Sequence, residues 1–107
     1  MSVENYAPEL NGSQWQGISL GDIANMASGT SCLDEDGYQN TESCIYRYEE
    51  SLRLTAAVNP SQTTLENLFS MRRHLPPGEK YEYVSANTFV IGLVVANVTR
   101  LALQDLV

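Results

Sequence analysis

Residues 76–88 read Pro76-Pro77-Gly78-Glu79-Lys80-Tyr81-Glu82-Tyr83-Val84-Ser85-Ala86-Asn87-Thr88, and an apolar segment from Phe89 to Ala96 follows directly. The Pro-Pro-Gly sequence is typical of a turn, because proline presets its φ angle and glycine tolerates positive φ. Ser85 or Asn87 can cap a helix, since both side chains accept hydrogen bonds from free backbone amides. The stretch therefore predicts a turn, a short extended segment and a helix, with Tyr83 at the helix entrance.

A second stretch carries a helix-start pattern. Residues 15–29 read Trp15-Gln-Gly-Ile-Ser-Leu-Gly-Asp-Ile-Ala-Asn-Met-Ala-Ser-Gly29. Ser19 is the expected N-cap, because Asp22 stands at the third helical position after it. Gly29 is expected to end the helix, and Trp15 is the one large apolar anchor of an otherwise irregular segment 1–17.

The rest of the chain predicts further helices. One begins at Glu42 or Ser43 and ends at Asn59-Pro60, and a short one is capped by Thr63 or Thr64. The short helix is expected to bury Leu65, Leu68 and Phe69, and to place Arg72, Arg73 and His74 in its last turn. A final helix is predicted from about Ala86 to Val98, and a further one starts in Leu101 to Val107. Composition alone leaves the segment 89–96 open between a buried strand and a helix.

The two motifs together resemble a known family. In order and spacing they are similar to the tyrosine motif and the preceding Trp…Ser-Gly block of serine hydrolases related to class C β-lactamases and D-Ala-D-Ala carboxypeptidases. The acidic loop from Leu33 to Tyr38 is similar to the branch that contains 6-aminohexanoate-dimer hydrolases. The resemblance implies a mainly α fold, namely the helical subdomain of the β-lactamase/transpeptidase-like fold with three to five helices and long loops. It also favours a helix over residues 86–98.

Two motifs of that family do not occur in the 107 residues. These are the Ser-x-x-Lys motif of the nucleophile and the late Lys-Thr-Gly triplet. The nearest approach is Ser70-Met71-Arg72-Arg73, and arginine cannot replace the lysine because it does not give up its proton. We therefore expect residues 1–107 to form one helical subdomain that is incomplete relative to the full hydrolase and inactive alone. The alternative is a non-catalytic binding or assembly module derived from that fold.

The resemblance assigns roles to single residues. Tyr83 stands where the family has the tyrosine that relays a proton from the serine nucleophile to the leaving group. Ser85 stands where many members have an asparagine that binds the acyl side chain, so Ser85 and Asn87 are candidate substrate-binding residues, and Tyr38 is a third. The exchange of asparagine for serine suggests esters or linear amides as substrates rather than β-lactams. Ser85 as a simple N-cap and Tyr83 as an ordinary half-buried tyrosine are the competing interpretations.

Cys32 and Cys44 flank the acidic loop, and they allow either a disulfide or two free thiols. Free thiols are favoured in a cytosolic host, whereas a disulfide closing this loop would stabilise the fold by about 3 kcal/mol. No zinc pattern exists, because the chain has two cysteines and one histidine. The acids Asp34, Glu35 and Asp36 lack the spacing of an EF-hand loop, so no metal and no cofactor is expected.

Net charge and hydropathy limit the classes of partner that the chain is expected to bind. The formal net charge is −7 at pH 7, and residues 1–50 carry nine acids against the single base Arg47. Nucleic acid and membrane are therefore not expected as partners, since such binding requires a basic surface or a long apolar span. No signal peptide is recognised, because the N-terminal residues are acidic. The expected partners are a small ester or amide substrate in the full enzyme and a second copy of the chain, through an exposed apolar face. The cellular compartment stays open.

Overall fold

A computed structural model describes the backbone of residues 1–105 and the side chains of residues 1–100. This range holds four α-helices, named α1 (Leu20–Ala24), α2 (Cys44–Ser51), α3 (Thr64–Ser70) and α4 (Ser85–Asp105). Short 3-10 turns cover Val3–Asn5, Pro8–Leu10 and Asp34–Asp36. The described backbone has isolated bridges, Ser2 with Ser19 and Thr30 with Arg73, in place of a sheet. The predicted mainly α class, with long irregular connections, is confirmed.

The first three helices begin at the side-chain caps that local sequence favours. Ser19 and Ser43 each accept a hydrogen bond from the backbone amide three residues further on. Thr63 accepts from the Glu66 amide, and the Glu66 carboxylate accepts from the Thr63 amide at 2.9 Å, which completes a capping box. Each cap satisfies a backbone donor that the helix itself leaves free. The predicted starts of α1, α2 and α3 are therefore confirmed.

The predicted ends of α1 and α2 are wrong. Met26 (φ 57°) and Arg53 (φ 62°) adopt the left-handed conformation directly after the two helices. Each is the centre of a Schellman motif, because the amide after it bonds a carbonyl five residues back: Ala27 to Asp22 at 2.8 Å and Leu54 to Glu49 at 3.0 Å. The helices thus end before Gly29 and before Asn59-Pro60, on residues that are not glycine.

Gly29 does not end α1 as predicted, but allows a close backbone contact with Leu75. Its φ angle is 80°, and a Cβ atom at this position would lie 2.1 Å from the carbonyl oxygen of Leu75. The Gly29 carbonyl in turn accepts hydrogen bonds from the amides of His74 (2.8 Å) and Leu75 (3.3 Å). Only glycine allows this close approach between the end of the Trp15–Gly29 motif and the start of the Pro-Pro-Gly turn.

Helix α3 is shorter and more exposed than predicted. Leu68 is fully buried, but Leu65 and Phe69 remain 39% and 42% exposed, so only one of the three expected core residues is in the core. Because α3 ends at Ser70, the basic residues at 72–74 lie outside it. The Arg73 guanidinium instead donates to the carbonyls of Gln14 and Gln16 at 2.9 and 3.0 Å.

The ambiguous apolar segment is helical. In α4 the residues Ala86, Val90 and Val94 are buried at a spacing of four, which is the repeat of one helical face. Residues 101–105 continue α4, so the predicted separate helix from Leu101 is wrong there, and residues 106–107 lie outside the described part of the chain. No helix in the part of the chain searched is both long and apolar enough to span a bilayer.

The core joins the N-terminal segment to the helices. Helix α1 packs on α4, and α2 packs on α3. The fully buried Trp15 and Ile23 lie in one cluster with residues of α2 and α4, which confirms Trp15 as an apolar anchor. Cys32 and Cys44 form a disulfide, so the favoured free-thiol alternative is wrong. The bond closes the loop that carries the acidic residues against the start of α2.

Candidate active site around Tyr83

The two sequence motifs lie side by side in the fold. The Gly78 amide donates to the Ala27 carbonyl at 2.7 Å, and the Glu82 amide donates to the Met26 carbonyl at 2.8 Å. His74 and Glu82 also form an ion pair, with Nε2 and Oε1 2.7 Å apart, when the imidazole is protonated. The Pro-Pro-Gly turn is therefore held at both of its ends, and the chain that leaves it at Tyr83 has a defined position.

Tyr83 presents its ring to solvent at the entrance of α4. The side chain is 54% exposed, whereas the next residue, Val84, is 1% exposed and anchors the chain in the core. The ring borders two open grooves. One has a volume of about 320 Å³ and is lined also by Leu33, Glu35, Lys80, Tyr81 and Glu82. The other has a volume of about 360 Å³ and is lined also by Tyr48, Glu49, Leu52, Leu54, Ser85, Thr88 and Phe89.

The buried Asp34 is hydrogen bonded to three residues near the entrance of α4, to two through its carboxylate and to one through its backbone amide. Its Oδ1 accepts from the Ser85 amide at 2.6 Å. Its Oδ2 accepts from the Ser85 hydroxyl and, at 2.5 Å, from the Tyr38 hydroxyl. The Asp34 amide donates to the Tyr83 carbonyl at 3.2 Å. The acidic loop is thus docked against the start of α4 through Asp34, while Glu35 and Asp36 remain exposed.

Tyr38 lies at the outer side of this cluster, 51% exposed. The hydrogen bond that its hydroxyl donates to Asp34 is the main cause that raises its pKa to about 12, because ionisation would remove the donated proton. Partial desolvation and the negative charge of Asp34 act in the same direction. Tyr38 therefore remains a neutral hydrogen-bond donor throughout the physiological range.

Ser85 is the first residue of α4, not a residue preceding it. An ionised carboxylate can only accept hydrogen bonds, so the Ser85 hydroxyl directs its proton at Asp34. The oxygen of Ser85 keeps acceptor capacity toward the groove of about 360 Å³ that it lines. The structure thus places Ser85 and Tyr38 on one carboxylate, but it does not leave the Ser85 proton free for a ligand.

Asn87 is separate from this cluster. Its side chain is 1% exposed, its Oδ1 accepts from the Ser28 hydroxyl at 2.8 Å, and its Nδ2 lies 3.4 Å from the Met26 sulfur. These contacts join α4 to the segment after α1. In this structure the Asn87 amide holds the two motifs together and does not face either groove beside Tyr83.

Sequence reasoning missed Asp34 as the centre of the site. The signal that could have found it is the lack of a local cap for α4, because Val84, which precedes the helix, has no side-chain acceptor. A helix start without a local cap requires an acceptor from elsewhere in the chain. Within the described residues, no group of three or more His, Cys, Asp or Glu side chains is arranged to hold a metal ion.

Comparison with known families agrees with this geometry. The family model described as Beta-lactamase matches residues 2–107, which is nearly the whole chain. A comparison with curated proteins found no significant match. The match spans both motifs, the acidic loop between them and all of the described helices. The two motifs pack against each other and the motif tyrosine is open to solvent. Because the family model matches nearly the whole chain, the chain belongs to the β-lactamase family of serine hydrolases.

Proposed function

We propose that this chain is the helical, tyrosine-bearing part of a serine hydrolase that cleaves esters or linear amides through an acyl-serine. The observation that carries the proposal is the position of Tyr83. Its ring is half exposed between two open grooves, while the backbone on both sides of Val84 is hydrogen bonded to Asp34. A phenol held in this way can meet a serine and a substrate that approach from outside the described surface.

In the proposed reaction, the Tyr83 phenolate takes the proton of a serine hydroxyl while the serine oxygen attacks the carbonyl carbon of the substrate. The proton then passes from Tyr83 to the leaving alcohol or amine, and an acyl-serine remains. In the second half, Tyr83 takes a proton from a water molecule that attacks the acyl-serine, and this proton passes to the serine oxygen as the acid is released. A phenol has a reference pKa near 10, so a neighbouring cation is needed to stabilise the phenolate that accepts a proton at neutral pH. In the family that cation is the lysine of Ser-x-x-Lys, and no such motif occurs in the 107 residues.

The proposed substrate class follows from what faces the grooves. The position that carries an asparagine amide in many relatives is Ser85, whose proton is engaged by Asp34. The nearby Asn87 amide is buried against Ser28. Neither residue therefore offers an amide to bind the acyl side chain of a β-lactam, and we propose an ester or linear amide of the 6-aminohexanoate-dimer hydrolase type. Tyr38 and the acceptor oxygen of Ser85 are the proposed substrate contacts.

The isolated chain is proposed to be inactive, since it supplies the tyrosine without the nucleophile. Incubation with a chromogenic short-chain ester and with a cephalosporin should give no turnover and no acyl adduct by mass spectrometry. A covalent adduct on any serine of the chain would contradict the proposal.

A chimeric enzyme tests the catalytic role directly. Residues 1–107 replace the equivalent segment of a β-lactamase-family esterase that carries Ser-x-x-Lys and Lys-Thr-Gly. The chimera should hydrolyse the ester, and Tyr83→Phe should lower kcat by about 100-fold or more, because proton transfer by one positioned group contributes about that factor. Tyr6→Phe is the control, since the Tyr6 hydroxyl contacts Met1 on the N-terminal segment. A folded but inactive chimera, or an unchanged kcat in Tyr83→Phe, would overturn the proposal.

The alternative, a free-standing binding module, is supported less well. Leu54, Val58, Val95 and Val98 expose between 45% and 69% of their surfaces. Large exposed apolar side chains are typical of a surface that another part of a protein covers. They therefore favour a subdomain that packs on the rest of a hydrolase.

A further inference from the structure

We propose that Asp34 is a positioning residue for Tyr83, acting through the first residues of α4. This inference rests on the proposed function, because it assigns the acidic loop a task in the same site. Asp34 does not contact either groove beside Tyr83. Its side chain is 6% exposed, and four of its five hydrogen bonds join it to Tyr38, Tyr83 and Ser85, while its carbonyl accepts the fifth from the Gly37 amide.

The geometry shows how Asp34 acts. Its amide holds the carbonyl of Tyr83, and its carboxylate holds the amide of Ser85. Between these two contacts lies Val84, which is fixed in the core. The backbone is therefore restrained directly after the Tyr83 Cα atom and again two residues later. The direction in which the tyrosine ring leaves the chain depends on this restraint.

Charge adds to the restraint. The carboxylate lies at the N-terminus of a helix of 21 residues, where a negative charge is favourable. It satisfies the first amide of α4, which has no partner within the helix. Removal of the carboxylate should therefore loosen the first turn of α4 and broaden the range of positions that the Tyr83 oxygen samples. A misplacement of about 1 Å in a catalytic group can cost about 100-fold in rate.

The loop itself is held from the other side. The Cys32–Cys44 disulfide closes the segment that contains Asp34, and the Tyr38 hydroxyl shares Oδ2 with Ser85. Asp34 thus transmits the position of a cross-linked loop to the entrance of α4. Its neighbour Asp36 is exposed in the same loop, which makes it a matched control of equal charge.

The first test uses NMR spectroscopy on the 107-residue chain. In Asp34→Ala the Ser85 amide should lose at least tenfold of its protection from hydrogen exchange, and the resonances of Tyr83 should shift. Asp36→Asn should leave both unchanged. If Asp34→Ala does not fold, Asp34→Asn serves in its place. It retains an acceptor for the Ser85 amide but loses the Oδ2 acceptor, so Tyr38 and the Ser85 hydroxyl should respond. Unchanged Ser85, Tyr38 and Tyr83 signals in a folded variant would overturn the inference.

The second test is a double-mutant cycle in the active chimera. Asp34→Ala should lower kcat by about 10-fold to 100-fold with KM changed less than threefold, and it should cause no further loss in the Tyr83→Phe background. An equal loss in both backgrounds would mean that Asp34 does not act through Tyr83. If Tyr83→Phe lowers kcat and Asp34→Ala does not, the positioning role fails alone. If Tyr83→Phe has no effect, the proposed function fails, whatever the NMR result.

Discussion

The Asp34 carboxylate accepts hydrogen bonds from both the backbone amide and the hydroxyl of Ser85, a residue 51 positions further along the chain. One carboxylate therefore acts as the cap of α4 and as the link between the acidic loop and the tyrosine motif. The hydrogen bond from the Asp34 amide to the Tyr83 carbonyl completes the link. Several measurable properties of the chain depend on this arrangement and on the helix ends around it.

The first prediction concerns Tyr38, whose pKa should be about 12 in the folded chain. The main cause is the hydrogen bond that its hydroxyl donates to Asp34, so Asp34→Asn should lower this pKa toward the reference value of 10. Titration of the ring carbon resonances by NMR measures it. Asp36→Asn is the control and should leave the Tyr38 titration in place. An equal pKa in the Asp34→Asn and wild-type chains would contradict the assigned hydrogen bond.

The second prediction concerns alkaline stability. Burial raises the pKa of Tyr48 from 10.0 to about 12, with the charges of Asp34 and Glu49 adding to the shift. Because the folded-state pKa lies above the unfolded value, this stabilisation is complete below pH 10 and is lost as the pH rises toward 12. The free energy of unfolding should therefore fall over this window. Tyr48→Phe should show a shallower fall in urea unfolding at pH 8, 10 and 11, and an identical slope would argue against the burial assigned to Tyr48.

The third prediction concerns the end of α2. Arg53 is exposed and adopts φ 62°, a conformation that costs a residue with a Cβ atom about 1 kcal/mol. Arg53→Gly should therefore raise the free energy of unfolding by up to about 1 kcal/mol. Arg47→Gly, inside the same helix, should lower it by about 1 kcal/mol. Denaturant unfolding of the two variants should give changes of opposite sign, and equal destabilisation would refute the Schellman end.

The fourth prediction concerns the disulfide. Cys32 and Cys44 are separated by 12 positions, and closing a loop of that size stabilises a fold by about 3 kcal/mol in the chain-entropy treatment. The double variant Cys32→Ser/Cys44→Ser should lose about that much in urea unfolding. A reducing agent should destabilise the wild-type chain by a similar amount and leave the double variant unaffected. Equal midpoints for oxidised and reduced wild-type chain would show that the bond does not constrain the fold.

The fifth prediction concerns self-association. Val95 and Val98 on α4 are 57% and 45% exposed, and they offer an apolar face that a second copy can cover. Light scattering after gel filtration should give a mass above the 11.8 kDa of one chain as the concentration rises. Val95→Lys should shift the equilibrium toward the monomer. Gln39→Lys, at an exposed polar position outside α4, should not. A wild-type chain that stays monomeric at every concentration would favour the binding module.

Local signals predicted the helix starts well. Ser19, Ser43 and Thr63 each cap a helix through an amide only three residues away. Such bonds depend on little more than the order of neighbouring side chains, so sequence is enough to find them. The helix ends were predicted poorly, because Met26 and Arg53 take the left-handed conformation that sequence rules reserve for glycine. The Schellman hydrogen bonds, from the Ala27 amide to Asp22 and from the Leu54 amide to Glu49, offset part of this local cost.

The residues of the candidate site also differ in whether local sequence could predict them. The position of Tyr83 at the entrance of α4 was predicted from a motif, since the turn, the extended segment and the helix start lie next to each other in the chain. Asp34 was not found, and Asn87 was expected at the substrate although it is 1% exposed against Ser28. The exposure of Leu65 and Phe69 also escaped prediction. For Asp34 and Asn87 the deciding contact joins segments that are distant in sequence.

By itself, the sequence determined the family, the helical class, the caps of α1, α2 and α3 and the position of Tyr83 at the entrance of α4. Each of these rests on residue types at short, fixed spacings. Only the tertiary structure decided which acid contacts the backbone of that tyrosine, that the Asn87 side-chain amide is buried, and that the two cysteines form a disulfide. These outcomes depend on how the loop 33–38, the segment 26–30 and the start of α4 pack together, and the geometry of that packing has no signature in local spacing.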